Sequence, residues 1–165
     1  MKKALVTGSG GLVGEACVRR LLKDGFEVVG VDNDTRQALF GRDASNKETI
    51  KLLTEESSNY THHNIDIRDM EGLSNIFDTF DLIIHTAAQP SHDWAAFNPI
   101  EDFTINANGT LNLLECFRER CPEATFVYVS TNKVYGDVPN RIEVIENELR
   151  YSPRDDVLID ESMSI

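Results

Sequence analysis

The stretch that most constrains this chain is Val6-Thr7-Gly8-Ser9-Gly10-Gly11-Leu12-Val13-Gly14. It follows the apolar run Ala4-Leu5-Val6 and leads into apolar residues at helical spacing (Leu12, Ala16, Val18, Leu21, Leu22), so it reads as strand, glycine turn, helix. Residues without a Cβ block nothing at such a turn, and the N–H groups at the positive end of the helix can then face a bound pyrophosphate. Two glycine spacings can be tested. The G-x-G-x-x-G pattern needs glycine at position 13, where the chain has Val13, whereas Gly8, Gly11 and Gly14 satisfy G-x-x-G-x-x-G in full. Leu12 and Val13, at the start of the helix, complete the expected cradle.

After Gly25, the run Phe26-Glu27-Val28-Val29-Gly30-Val31-Asp32 predicts a second buried parallel strand that ends in an acid. Asp32 lies 18 positions past Gly14, close to the interval at which a dinucleotide fold places a carboxylate on the adenosine ribose hydroxyls. An ordinary acid at a strand end is the competing reading. The same carboxylate repels a 2′-phosphate, which favours NAD over NADP; Asn33 joins the expected site, and the nearby Arg36 keeps the second cofactor open.

Residues 33–46 carry no clean period and are expected to be an irregular loop with at most a short helical turn. A helix over 47–57 and a modest strand over 60–65 follow. Asp66 and Ile67 then pass the place where an acid can accept from the adenine amine and an apolar side chain can pack on the ring. Asp66 or Asp69 could equally cap the helix expected over 70–77. His62 and His63 point to opposite faces of their strand and have no third ligand nearby, so no metal site is expected. The run 81–88 is the clearest strand. It ends in the small residues Ala87 and Ala88, which let a cofactor approach, and His85 within it reads as a satisfied core histidine. A polar loop over 89–94 and a long helix over 100–120 come next; Asn106, Asn108 and Gly109 weaken that helix and imply a contact that needs them. A fifth strand is expected over 125–130, and beyond Gly136 the pattern dissolves into an irregular acidic tail, 137–165.

A formal charge of −12 with no offsetting basic stretch argues against nucleic acid and anionic membranes. Cys17, Cys116 and Cys121 form no CxxC pair and leave an odd count, which fits buried thiols in a reducing cytoplasm. Met1-Lys2-Lys3 leads straight into a strand, and no run of about 18 apolar residues occurs, so a soluble cytoplasmic protein is expected.

Four blocks carry a likeness to a known family: His85-Thr86-Ala87-Ala88-Gln89-Pro90-Ser91-His92-Asp93-Trp94, Asn106-Ala107-Asn108-Gly109-Thr110, Ser130-Thr131-Asn132-Lys133-Val134-Tyr135-Gly136 and Ile159-Asp160-Glu161-Ser162. With them the chain resembles the N-terminal part of the extended short-chain dehydrogenase/reductase family, the nucleotide-sugar epimerases and dehydratases, and its loops resemble the CDP-paratose/CDP-tyvelose 2-epimerase group. The resemblance implies a doubly wound α/β parallel sheet of order 3-2-1-4-5 (Rossmann type), tightly held NAD, and a CDP-sugar oxidised to a transient ketone and reduced on its other face. It implies cofactor contacts at Gln89, Asn106 and Ser130 as well, with Thr131 as the catalytic residue that holds the reacting oxygen. The family's base is the Tyr of a Tyr-x-x-x-Lys pair, whose Lys lowers the phenol pKa. Here the chain departs from the pattern. After Gly136 no Tyr is followed four residues later by Lys: Tyr151 meets Asp155 and Tyr135 meets Pro139. The expectation is an incomplete NAD-binding domain over 1–165, cut before the last strands and without its sugar-binding C-terminal domain. Such a piece would be inactive alone. Apolar surface near Phe126, Tyr128 and Val134 would be uncovered, giving oligomerisation, marginal stability or a disordered tail. A 4,6-dehydratase needs an Asp-Glu pair where this chain has Asn132-Lys133; a C4 epimerase and a non-catalytic NAD-binding regulator remain the alternatives.

Overall fold

A computed structural model describes residues 1–161 and 163; the side chains of Asn132 and Lys133 and all of Ser162, Ser164 and Ile165 lie outside the described part. Ser162, in the last of the four blocks, is therefore not placed. The chain divides into two compact units, Met1–Val129 and Ser130–Ile165.

The first unit is a five-stranded parallel sheet in the expected order, 3-2-1-4-5. In chain order it comprises β1 (Lys3–Thr7), helix α1 (Leu12–Lys23), β2 (Glu27–Val31), α2 (Thr35–Phe40), a 3-10 turn at Arg42–Ala44, α3 (Lys47–Glu56), β3 (Tyr60–His63) and α4 (Met70–Ile76). There follow β4 (Leu82–His85), α5 (His92–Phe97), α6 (Pro99–Phe103), a π-helical turn at Thr104–Asn108, α7 (Gly109–Arg120) and β5 (Thr125–Tyr128). The apolar strands alternate between the two faces of the sheet, as a sheet covered on both sides requires. Leu5, Val29, Val31 and Ile83 pack with Leu73, Phe77, Leu113 and Cys116 on one face, while Ala4, Val6 and Val28 pack with Val18, Leu21, Leu53 and Tyr60 on the other. Full burial of each large side chain contributes roughly 1.5–3 kcal/mol.

The structure corrects several expectations. Residues 33–46 hold a two-turn helix and a 3-10 turn, because Asp34 gathers the loop: its oxygens accept from the Asn46 N–H at 2.7 Å and the Ser45 hydroxyl at 2.7 Å. The segment 89–94 is only partly loop, since Ser91 accepts from the Trp94 N–H at 3.2 Å and starts α5. The long helix is two α-helical runs joined by the π turn. Phe126 is half-buried against Phe117, ring centroids 5.5 Å apart, whereas Tyr128 is exposed as expected. Cys116 and Cys121 are buried, but Cys17 only half so.

The second unit opens with a 3-10 turn at Asn132–Tyr135, and within the tail expected to be irregular it holds a second 3-10 turn at Val138–Arg141 and an antiparallel hairpin of β6 (Val144–Glu146) and β7 (Tyr151–Pro153). The Asn147 N–H to Arg150 carbonyl bond at 3.0 Å closes the hairpin. No glycine marks that turn, which is why the sequence pattern did not show it.

Candidate functional site

One cleft of about 270 Å³ lies along the carboxyl ends of β1, β2 and β3, where ligands sit in open parallel sheets. Its lining brings together Gly8, Gly11, Leu12, Val13, Gly14, Asp32, Asn33, Arg36, Asp66, Ile67, Ala87 and Ala88, twelve residues named above from the sequence. Thr35, Leu39, Asn46, Ile65, Thr86, Pro90 and Ile105 also line it. Asn46 has no sequence signal, because it reaches the site across an irregular stretch that folds only through Asp34.

The glycine turn forms the floor. Gly8 adopts a left-handed φ of +68°, and a Cβ there would stand 2.8 Å from the Ala87 nitrogen, so the turn and the end of β4 approach as closely as only glycine allows. The first N–H groups of α1 have no intrahelical acceptor and open onto the cleft at Leu12 and Val13.

Asp32 is buried, and its carboxylate is held from both sides. One oxygen accepts from the Gly10 N–H at 3.0 Å and the Asn46 amide at 3.3 Å; the other accepts from the Asp34 N–H at 2.8 Å. Asn33 and Asp66 join across the mouth, where Asn33 Nδ2 donates to Asp66 Oδ2 at 3.1 Å. The Arg68 guanidinium, bonded to both Asp66 oxygens, holds that carboxyl below the usual range. Asp69 caps α4 through the Gly72 N–H at 3.0 Å, so the two acids divide the roles left open above. Arg36 lies over the Phe40 ring, 5.6 Å from its centre.

Gln89 and Asn106 were expected among the cofactor contacts but do not line the cleft. They are bonded to each other behind its wall: the Gln89 N–H donates to Asn106 Oδ1 at 2.9 Å, and Asn106 Nδ2 donates to the Gln89 carbonyl at 3.3 Å. Asp102 accepts from both amides, at 2.8 Å from Gln89 and 3.0 Å from Asn106. Ser130 and Thr131 are exposed and belong to the second unit. His85 is a core histidine, bonded to Thr7 Oγ1 at 2.7 Å and Thr110 Oγ1 at 3.0 Å. Among the described residues no helix is long and apolar enough to cross a membrane.

A family model described as the NAD dependent epimerase/dehydratase family matches residues 4–155. A curated CDP-paratose 2-epimerase from Salmonella typhi is 32% identical over 152 residues, covering 91% of this chain and 42% of that protein. A dTDP-glucose 4,6-dehydratase from Escherichia coli is 34% identical over 157 residues, covering 88% and 41%. The solved structure of a Thermus thermophilus UDP-glucose 4-epimerase in complex with NAD superposes with a TM-score of 0.67 at 30% identity, covering 92% of this chain and 44% of that one. The chain thus spans about two fifths of the length of the proteins it matches.

Proposed function

Because the chain belongs to the NAD-dependent epimerase/dehydratase family, we propose that its cleft receives the adenosine diphosphate part of NAD. What carries this reading is that a single cleft gathers the glycine turn, the acid at the end of β2 and the Asp66-Ile67 pair. The residues suit the group. The Gly8–Gly14 turn offers N–H groups and no Cβ to the pyrophosphate, Asp32 and Asn33 offer acceptors to the ribose, and Ile67 offers an apolar surface to the base beside Asp66. Asp66 reaches the base already bonded to Arg68 and Asn33, so its orientation is set before any ligand arrives.

NAD, when bound, supplies reversible hydride transfer. The protein's part is then to bind a nucleotide sugar, a CDP-sugar in this reading, and to hold the hydroxyl that becomes a ketone; Thr131 is the residue assigned to that oxygen. Inversion at C2, as in a CDP-tyvelose/paratose 2-epimerase, is the leading chemistry. Inversion at C4 is the second, favoured by the UDP-glucose 4-epimerase likeness. Asn132 and Lys133, in place of an acid–carboxylate pair, disfavour dehydration. Since no Tyr-x-x-x-Lys pair lies among residues 137–165, these 165 residues alone are expected to bind NAD weakly and not to turn over a CDP-sugar.

Titration calorimetry tests the site: NAD binds and NADP binds at least roughly tenfold more weakly, because the Asp32 carboxylate repels a 2′-phosphate in a partly desolvated position. Equal affinities, or no NAD binding, would defeat the assignment. Self-association belongs to the same reading. Ile100, Phe103, Leu111 and Leu114 are all exposed on the α6–α7 run, and sedimentation is expected to show a concentration-dependent oligomer, with a monomer at every concentration counting against it.

A further inference from the structure

We infer that His85 is a positioning residue: a buried ring protonated on Nε2 that gives one direction to a partly buried hydrogen-bond chain from Ala87 to Asn106, tying the cleft wall to a single relay. The direction follows from counting protons. Thr110 Oγ1 lies 2.6 Å from the Asn106 carbonyl oxygen, which only accepts, so the hydroxyl proton points there. That hydroxyl has no second proton, so His85 Nε2, 3.0 Å away, is the donor in their bond. Nδ1 then carries the lone pair and accepts from the Thr7 hydroxyl at 2.7 Å. Thr7 Oγ1 in turn accepts the Ala87 N–H at 3.3 Å. Each group is used once, and the chain runs Ala87, Thr7, His85, Thr110, Asn106.

The opposite tautomer fails at one point. With the proton on Nδ1, Thr110 would have to donate to Nε2, and the Asn106 carbonyl would face a bare hydroxyl oxygen at 2.6 Å in a half-buried site. The relay acts on the cleft because both its ends grip the same wall. Ala87 is held through Thr7, while Asn106, whose carbonyl ends the chain, holds the N–H and carbonyl of Gln89 with its side chain. Asn106 sits within the π turn, an irregularity that helices carry mainly where a function needs it. The consequence for cofactor affinity rests on the proposed NAD site; the ring state and the wall do not.

The test compares the chain with Thr110→Val, which removes the hydroxyl at nearly constant volume, and Thr110→Ser, which keeps it. In 15N imidazole spectra at pH 7 the wild-type ring is expected as a neutral Nε2–H form, with Nδ1 the far-downfield nitrogen. Thr110→Val is expected to abolish that single form, to speed amide exchange at Ala87 and Gln89 roughly tenfold, and to weaken NAD binding by a similar factor; Thr110→Ser restores all three. A wild-type ring protonated on Nδ1, or unchanged exchange at both amides in Thr110→Val, overturns the inference. Absence of NAD binding by the wild type would defeat the cofactor assignment alone, since ring state and exchange are read without ligand. Should Thr110→Val not fold, the wild-type tautomer decides.

Discussion

Gly14→Ala is expected to destabilise the first unit, Met1–Val129, by about 3 kcal/mol, the upper end of what overpacking costs. Gly14 is buried in the first turn of α1, and a Cβ there would overlap the Gly8 carbonyl oxygen and come within 2.7 Å of its carbon. Both obstacles are backbone, so no side chain can swing aside. Gly8 cannot retreat either: its N–H is bonded to the Val31 carbonyl at 2.7 Å, and Ala87 crowds its other side. The helix would have to lift off the turn, pulling Val18 and Leu21 from the core they share with Val6 and Val28. Urea denaturation reads the loss, and Gly25→Ala provides the contrast. Gly25 has φ +84° with open space around it, so alanine there incurs only left-handed strain, about 1 kcal/mol. If the two variants lose equal stability, the close seating of α1 on the turn is wrong.

That same seating explains why the glycine spacing was readable in the sequence. Gly8 and Gly14 meet through backbone, so the requirement is local in sequence and appears as a motif. Asp32 was readable for a related reason, since a strand fixes where its last residue points. Asn46 was not. It reaches Asp32 only because Asp34, in a left-handed conformation at φ 54°, collects Ser45 and Asn46 around its carboxylate. No periodicity records such a side-chain knot, and it also hid α2. The polar block at 106–110 shows the intermediate case. Its poor helix formers announced that a contact was needed, and the contact exists, but it holds Gln89 behind the wall instead of facing the cleft. Sequence showed where the helix was weak; only packing shows toward what.

Lowering the pH from 7 to 4 is expected to remove about 3 kcal/mol of stability through His85 alone. Burial pushes this imidazole from 6.5 down to about 4, with no charged neighbour contributing. The unfolded chain therefore binds a proton between pH 6.5 and 4 that the native state refuses, so stability rises with pH across that window. It is fully present above 6.5 and lost as the pH falls toward 4. His62, also depressed by burial, acts with the same sign. Asp66, which Arg68 holds below the ordinary carboxylate range, weakens the fold only at lower pH, where it protonates in the unfolded chain first. Between pH 6.5 and 4.5 the histidines thus dominate, because the other lowered carboxyls, Asp78 and Glu115, belong to exposed ion pairs. Urea denaturation across it should show a steep slope for the wild type and a much shallower one for His85→Asn, which cannot titrate. Equal slopes would mean that the ring accepts its proton in the folded state. If His85→Asn does not fold, an NMR titration of His85 in the wild type reports the same quantity directly, and a midpoint near 6.5 would show that burial does not keep the ring neutral.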